Sequence, residues 1–340
     1  MVGPVGLRRF ARCAAITVFL FVYSSWAEPA VEMTSTLFVG GARIDVITGP
    51  GGAQLPVEDL IRWANSAAES VRIYYGVFPI SQVSVHIIPF RGKGIRNGMA
   101  FGTDEGGRIT LRVGTETSAA EFASDWTLTH EMLHLAFPSV ADKHHWIEEG
   151  LATYVEPIAR IRAGHLASQK MWAELVRDMP QGLPESGDRG LDHTHTWGRT
   201  YWGGAMFCLL ADVEIRRQTK NKKGLEHALR AILEAGGDIR KSWDVSEAFR
   251  IGDRATGTRV LQNLYEAMKD KPVHVDLDGL WVDLGVRFDG QELKFDEDAR
   301  FAAIRRAITT DSRSAERYCS SGRPTAILRG RTLRRPRSVA

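Results

Sequence analysis

His130-Glu131-Met132-Leu133-His134, followed by Trp146-Ile147-Glu148-Glu149-Gly150-Leu151-Ala152, constrains this chain more than any other feature of its sequence. On a helix, residues i and i+4 share one face about a turn apart, so His130 and His134 can direct imidazole nitrogens at a single metal ion. Glu131, one residue round, then sits beside a water molecule at that metal. Zinc lowers the pKa of such a water to about 7, and an adjacent carboxylate can take its proton and pass it to a leaving amine. Residues 119–137 read as one helix, in which Phe122, Trp126, Leu128, Met132, Leu133 and Leu135 supply apolar faces and Pro138 is the stop.

A second helix is expected over 145–162, and its first turns carry Glu148 and Glu149. Catalytic zinc takes three protein ligands and keeps one position open, and two histidines with a glutamate are one such set. Spacing alone leaves Glu148 and Glu149 as alternatives for the third place.

Together the two segments fit H-E-x-x-H and W-[IL]-x-E-G-[LF]-A-x-Y, and so resemble the gluzincin zinc metallopeptidases, the peptidase MA-like group related to thermolysin and the zinc aminopeptidases. The resemblance implies that the glutamate directly before glycine, Glu149, is the third zinc ligand and that Glu131 is the general base. Tyr201-Trp202-Gly203-Gly204, ahead of an apolar helix over 205–213, is similar to a Y-x-x-G segment of the aminopeptidases. It implies that the Tyr201 hydroxyl stabilises the oxyanion, and such a donor is typically worth about 3–4 kcal/mol of barrier. Glu156 matches a glutamate that follows the ligand in those relatives. Lying two helical turns past Glu149, it is a candidate to accept the second ring N–H of a zinc histidine. His193 and His195, in the loop leading to Tyr201, are candidates to assist the oxyanion. One departure matters: the aminopeptidases carry a G-x-M-x-N type strand with an acidic residue that grips the substrate's amino terminus. The counterpart here, Gly98-Met99-Ala100-Phe101-Gly102, holds no carboxylate, and Asp104 and Glu105 read as a hairpin turn. Exo- and endopeptidase action both stay open, and the bare strand can still pair with an extended peptide.

Alternating residues over 42–48, a helix over 57–75 and strands over 83–89 and 108–113 describe a small sheet with one covering helix. Everything past residue 118 is mainly helical, with further helices at 225–235, 257–269 and 301–308 and an apolar packing segment at 279–286. The expected class is α+β, a thermolysin-like zincin. Its small N-terminal mixed β-sheet (about 35–115) precedes a mainly helical half (about 118–310), with the active-site cleft between them.

The two ends differ from this body. Arg8, Arg9 and Arg12, a short apolar run over 14–23 and Ser25-Trp26-Ala27 have the form of a signal peptide covering residues 1–27, which implies secretion or a periplasmic or cell-envelope location. The apolar run is shorter than the ~20 residues of a spanning helix, so no stable membrane insertion is expected after cleavage. Residues 311–340 hold eight Arg against two acidic residues and read as a basic disordered tail. The total formal charge of +3 therefore conceals a net negative body over 28–310, which argues against nucleic acid as a partner. Of three cysteines, Cys13 and Cys319 lie in the end segments, leaving Cys208 alone in the body and no disulfide framework. The reading is a zinc-dependent metallopeptidase that hydrolyses a peptide or protein substrate by a metal-activated water. The competing one is a non-catalytic peptide-binding or scaffolding protein that retains the fold.

Overall fold

The computed structural model describes residues 33–310; the expected leader and basic tail lie outside the described residues. Five strands form the N-terminal sheet: β1 (Met33–Val39), β2 (Ala42–Thr48), β3 (Gln82–Phe90), β4 (Ile95–Thr103) and β5 (Gly106–Gly114), in the order β1-β2-β3-β5-β4. β2, β3 and β5 run parallel while β1 and β4 are antiparallel to their neighbours, so the sheet is mixed as expected. β1 was not foreseen in the sequence; three hydroxyl residues in succession, Thr34-Ser35-Thr36, are followed by three apolar ones, Leu37-Phe38-Val39, so no alternation marks it.

The inner face consists of Ile44, Val46, Val83, Val85, Ile87, Ile109, Leu111 and Val113, all buried. Alternate residues of a strand point the same way, so these fall on one side of the sheet. Helix α1 (Val57–Tyr75) presents Leu60, Trp63, Ala64, Ala67, Ala68 and Val71 to the core. Glu58 and Asp59 favour its positive N-terminal end, and Gly76 in the left-handed region closes it. β4 is left as an edge, and because it is the strand nearest the helical half, its free edge lines the cleft.

The single helix expected over 119–137 is instead two, α2 (Ala119–Ser124) and α3 (Thr127–His134). Asp125 causes the break. It adopts an extended backbone, and its carboxylate accepts from the Thr127 hydroxyl at 2.8 Å, the Leu128 amide at 3.3 Å and the Trp63 indole at 2.9 Å. A short acidic side chain that satisfies the free amides of a new helix start competes with helix continuation. Then come α4 (His145–Arg162), α5 (Ser168–Asp178), α6 (Gly204–Gln218), α7 (Leu225–Glu234), α8 (Val245–Thr256), α9 (Val260–Met268), α10 (Leu277–Leu284) and α11 (Ala302–Thr309). A small hairpin, β6 (Val286–Asp289) with β7 (Glu292–Phe295), precedes α11. Neither α5, α8 nor this hairpin was anticipated as an element.

A buried charge network ties α4, α6 and α7. Arg216 reaches Asp212 at 2.8 Å and Glu226 at 2.7 Å, Asp212 accepts from the Leu225 amide at 2.9 Å and from Tyr154 at 3.1 Å, and Arg162 lies 3.7 Å from Glu226. Burial alone would raise the Glu226 pKa, but Arg216 and Arg162 outweigh it and hold the carboxyl well below its ordinary range. A depressed carboxyl contributes stability that is full above its unfolded value near 4.5 and is lost as pH falls toward its folded value. Urea unfolding should therefore show a midpoint that declines below about pH 4.5. Glu226→Gln should cost about 3–5 kcal/mol at neutral pH, because Arg216 is left buried beside an uncharged partner; a loss below about 1 kcal/mol would contradict this role.

Candidate metal centre

α3 and α4 meet so that His130, His134 and Glu149 bring one donor atom each within 4.8 Å of one another, the one such group of three among the described residues that includes both histidines of α3. Glu149 Oε2 lies 3.1 Å from His130 Nε2 and 3.7 Å from His134 Nε2, and the two imidazole rings sit 5.0 Å apart at 81°. His130, Glu131 and Glu149 are buried. Burial first, then the neighbouring His130, lowers the His134 pKa to about 3 and keeps that ring neutral. Burial would raise Glu149, yet hydrogen bonds from His130 and His145 hold its carboxylate well below the usual range. Neutral imidazoles and an ionised carboxylate are the forms that ligate, so the donor set fits zinc.

Glu131 occupies the same cleft, a cavity of about 820 Å³ walled by β4, α3 and α4. Burial, followed by the charge of Glu149, pushes its pKa up to about 8. A dication held by the neighbouring ligands would oppose that rise and favour the ionised base. Opposite it the β4–β5 ladder is interrupted between Arg96 and Met99, and Asn97 takes φ 54°. The bulge brings Gly98 against the glutamate: a Cβ there would stand 2.3 Å from Glu131 Oε1 and 2.7 Å from its Cγ. Bulges commonly re-aim a strand beside an active site.

Tyr201 belongs to a π-helical turn, Arg199–Gly203, that leads into α6. Gly150 and Gly204 place it. A Cβ on Gly150 would be 2.3 Å from the Gly204 Cα, and one on Gly204 would be 2.0 Å from the Trp146 carbonyl oxygen, so the backbones of α4 and α6 touch. Tyr201 consequently lies over the ligands, its ring stacked 6.3 Å from His130 and 5.6 Å from Trp197. Burial, and then the charge of Glu149 and a hydrogen bond to it, raises its pKa to about 12, so the hydroxyl stays a donor.

Three of the sequence candidates stand elsewhere. Glu156 is buried, but its partner is Arg160 at 3.0 Å rather than a zinc histidine; Arg160 also donates to the carbonyls of Ala123 and Ser124 at 3.3 Å. The pair fixes α4 to the α2–α3 junction instead. His195 is exposed outside the cleft, and His193 pairs with Asp270 at 2.9 Å on the surface. His144 bonds to Asp192 at 3.0 Å, a carboxylate that also receives Trp146 at 2.8 Å and Tyr265 at 2.9 Å and so anchors the start of α4. Asp104 and Glu105 form the turn between β4 and β5, as expected.

His145 was not singled out as a site residue. It lies one turn before Glu149 on the same face, with Nε2 3.3 Å from Glu149 Oε1 and Nδ1 3.0 Å from Glu148 Oε2. Hydrogen bonds to Glu148 and then Glu149 raise its pKa to about 10. Glu149 thus turns one oxygen to the two histidines and the other to His145. The i, i+4 spacing was the available signal.

No family model and no curated protein matches the sequence. Among solved structures, the fold is similar to an aminopeptidase N family protein from Idiomarina loihiensis, with TM-score 0.57 and 11% identity over 75% of this chain and 49% of that one. The M1 zinc metallopeptidase from Deinococcus radiodurans aligns with TM-score 0.46 and 16% identity over 72% of this chain and 52% of that one. The chain spans about half the length of these proteins. What the first likeness establishes is the fold: an N-terminal mixed sheet and a helical half, not a specifically thermolysin-like form.

Two outcomes follow. His145→Ala should weaken zinc binding about 10- to 100-fold, read by competition with a chelating dye, since outer partners of ligands carry that weight; unchanged affinity would show that Glu149 needs no such support. Gly98→Val should leave zinc stoichiometry at the wild-type level while displacing Glu131, visible as a changed Glu131 position in a crystal structure of the variant.

Proposed function

We propose that this chain is a zinc-dependent peptidase that hydrolyses peptide bonds of a peptide or protein substrate. The observation that supports it most is the placement of Glu131: a carboxylate, buried in an open cleft and held against the edge-strand bulge, beside a two-histidine, one-carboxylate set. A closed structural site has four protein ligands and no need of such a base. The likeness in fold to an aminopeptidase N family protein is in keeping with this reading.

His130, His134 and Glu149 would hold zinc, which when bound supplies Lewis acidity toward a carbonyl and acidifies water. Glu131 takes the proton of the attacking water and returns it to the departing amine, the two halves of one general acid–base cycle. Tyr201 keeps its proton, at a pKa of about 12, and donates a hydrogen bond to the carbonyl oxygen as that atom gains charge. The free edge of β4 offers backbone groups to an extended chain passing Glu131. If residues 1–27 act as the leader that their sequence suggests, this activity would be exercised in the secretory path or the cell envelope.

Incubating the purified, zinc-loaded protein with a peptide library, and identifying new termini by mass spectrometry, tests the proposal. Cleavage should stop on chelation and return with zinc. Glu131→Gln should retain zinc and lower kcat about 10²- to 10⁴-fold, and Tyr201→Phe about 10²- to 10³-fold. A wild-type protein that holds zinc but leaves the library intact, or a Glu131→Gln variant that cleaves at the wild-type rate, would overturn it.

A further inference from the structure

The N-terminal sheet has one covered face, that of Ile44, Val85 and Leu111, and one open face. Alternate residues of each strand fall on the open side. Of the nine exposed large apolar side chains among the described residues, four stand there: Phe38 at 74%, Met99 at 55%, Ile88 at 48% and Phe101 at 45% exposure. Apolar residues scattered singly over a surface need no account, whereas several gathered on one flat face mark a surface that is covered in use.

The same face is basic. Its strands carry Arg43, Arg96, Arg108 and Arg112 against one carboxylate, Asp45, which already receives Arg43 at 3.0 Å and the Thr36 hydroxyl at 2.6 Å. The other three arginines are exposed and form no ion pair among the described residues. Arg96 and Arg112 are direct partners across the β4–β5 ladder, and both guanidinium groups stand over the Phe90 ring, 4.8 and 5.5 Å from its centre. Like charges directly opposite each other in an antiparallel pair repel, and an anion laid across them removes that cost. This positive face belongs to a body whose net charge over 28–310 is negative.

We infer that the open face of the sheet docks the protein on an anionic lipid bilayer, with its arginines at the headgroup phosphates and Phe38, Ile88, Met99 and Phe101 at the acyl boundary. A neutral apolar partner would leave three arginines without counter-ions, and a soluble polyanion would leave the four apolar side chains in water. A flat anionic surface over an apolar interior meets both needs at once. Arginine suits that boundary, since its stem packs on apolar groups while its head stays among polar ones. β4 carries Met99 and Phe101 on this face and also walls the cleft, so docking brings the cleft wall to the bilayer. The inference is independent of the peptidase reading.

Co-sedimentation with vesicles tests it, using the chain from residue 28 onward, which keeps every described residue. The vesicles are phosphatidylcholine alone or phosphatidylcholine with about one-third phosphatidylglycerol. Partitioning should be at least about tenfold stronger on the anionic vesicles and should fall as salt is added. Arg96→Gln with Arg112→Gln should lower it about ten- to thirtyfold, while Arg96→Lys with Arg112→Lys should keep most of it. Met99→Ser with Phe101→Ser should lower it about tenfold, and Phe38→Ser, away from the cleft on β1, several-fold. The basic residues 311–340 can attract such vesicles by themselves, so a chain with their eight arginines changed to glutamine is run in parallel. It should still prefer anionic vesicles and still depend on Arg96 and Arg112. Equal binding to both vesicles, binding that survives loss of Arg96 and Arg112, or binding abolished by the change in residues 311–340 would overturn the inference. Binding that needs the arginines, ignores the apolar changes and is displaced by inorganic polyphosphate would overturn the lipid surface in favour of a soluble polyanion.

Discussion

Two residues without side chains, Gly150 and Gly204, let the backbones of α4 and α6 come into contact, and the geometry of the cleft depends on that contact. Gly150 immediately follows Glu149, and Gly204 closes the π-helical turn that carries Tyr201. Helices bearing ordinary side chains pack about 8–10 Å apart, which would move the tyrosine away from the ligands. The residue pairs Glu149-Gly150 and Gly203-Gly204 are thus packing devices as much as motif letters, and the buried network of Arg216, Asp212 and Glu226 secures the same helices farther along.

Within the cleft, two carboxylates one helix apart are driven in opposite directions. Glu149 is surrounded by His130, His134 and His145 and stays ionised, as a ligand must. Glu131 faces Gly98 and the open cavity, and burial pushes it up to about 8. Separation of pKa values between neighbouring acids assigns them different work, one to hold and one to exchange a proton. The bulge in β4 positions Glu131, whose rise the charge of Glu149 adds to, and the start of α4 with His145 holds Glu149.

The local part of this arrangement was legible in the sequence. His130 and His134 converge because the i, i+4 rule is a property of any helix, and α4 runs over the residues that its periodicity marked. Long-range pairing was less visible. That Glu156 would join Arg160 rather than a histidine depends on how α4 meets the α2–α3 junction, and the break at Asp125 that makes the junction was masked by a continuous apolar pattern. The bulge at Gly98 leaves no periodic signal in its own strand, and Arg96 meets Arg112 only through the pairing of β4 with β5, which no local spacing expresses.

All the chemistry proposed for this cleft requires zinc to be held by His130, His134 and Glu149 with one position open. X-ray absorption at the zinc edge, on wild type and on Glu149→Ala, addresses it most directly. One zinc per chain is expected, with two imidazoles, oxygen donors and no sulfur about it, and with the carboxylate lost and binding weakened in the variant. A protein that takes up no zinc when supplied with it, or a spectrum that Glu149→Ala leaves unchanged, would rule out this ligand set.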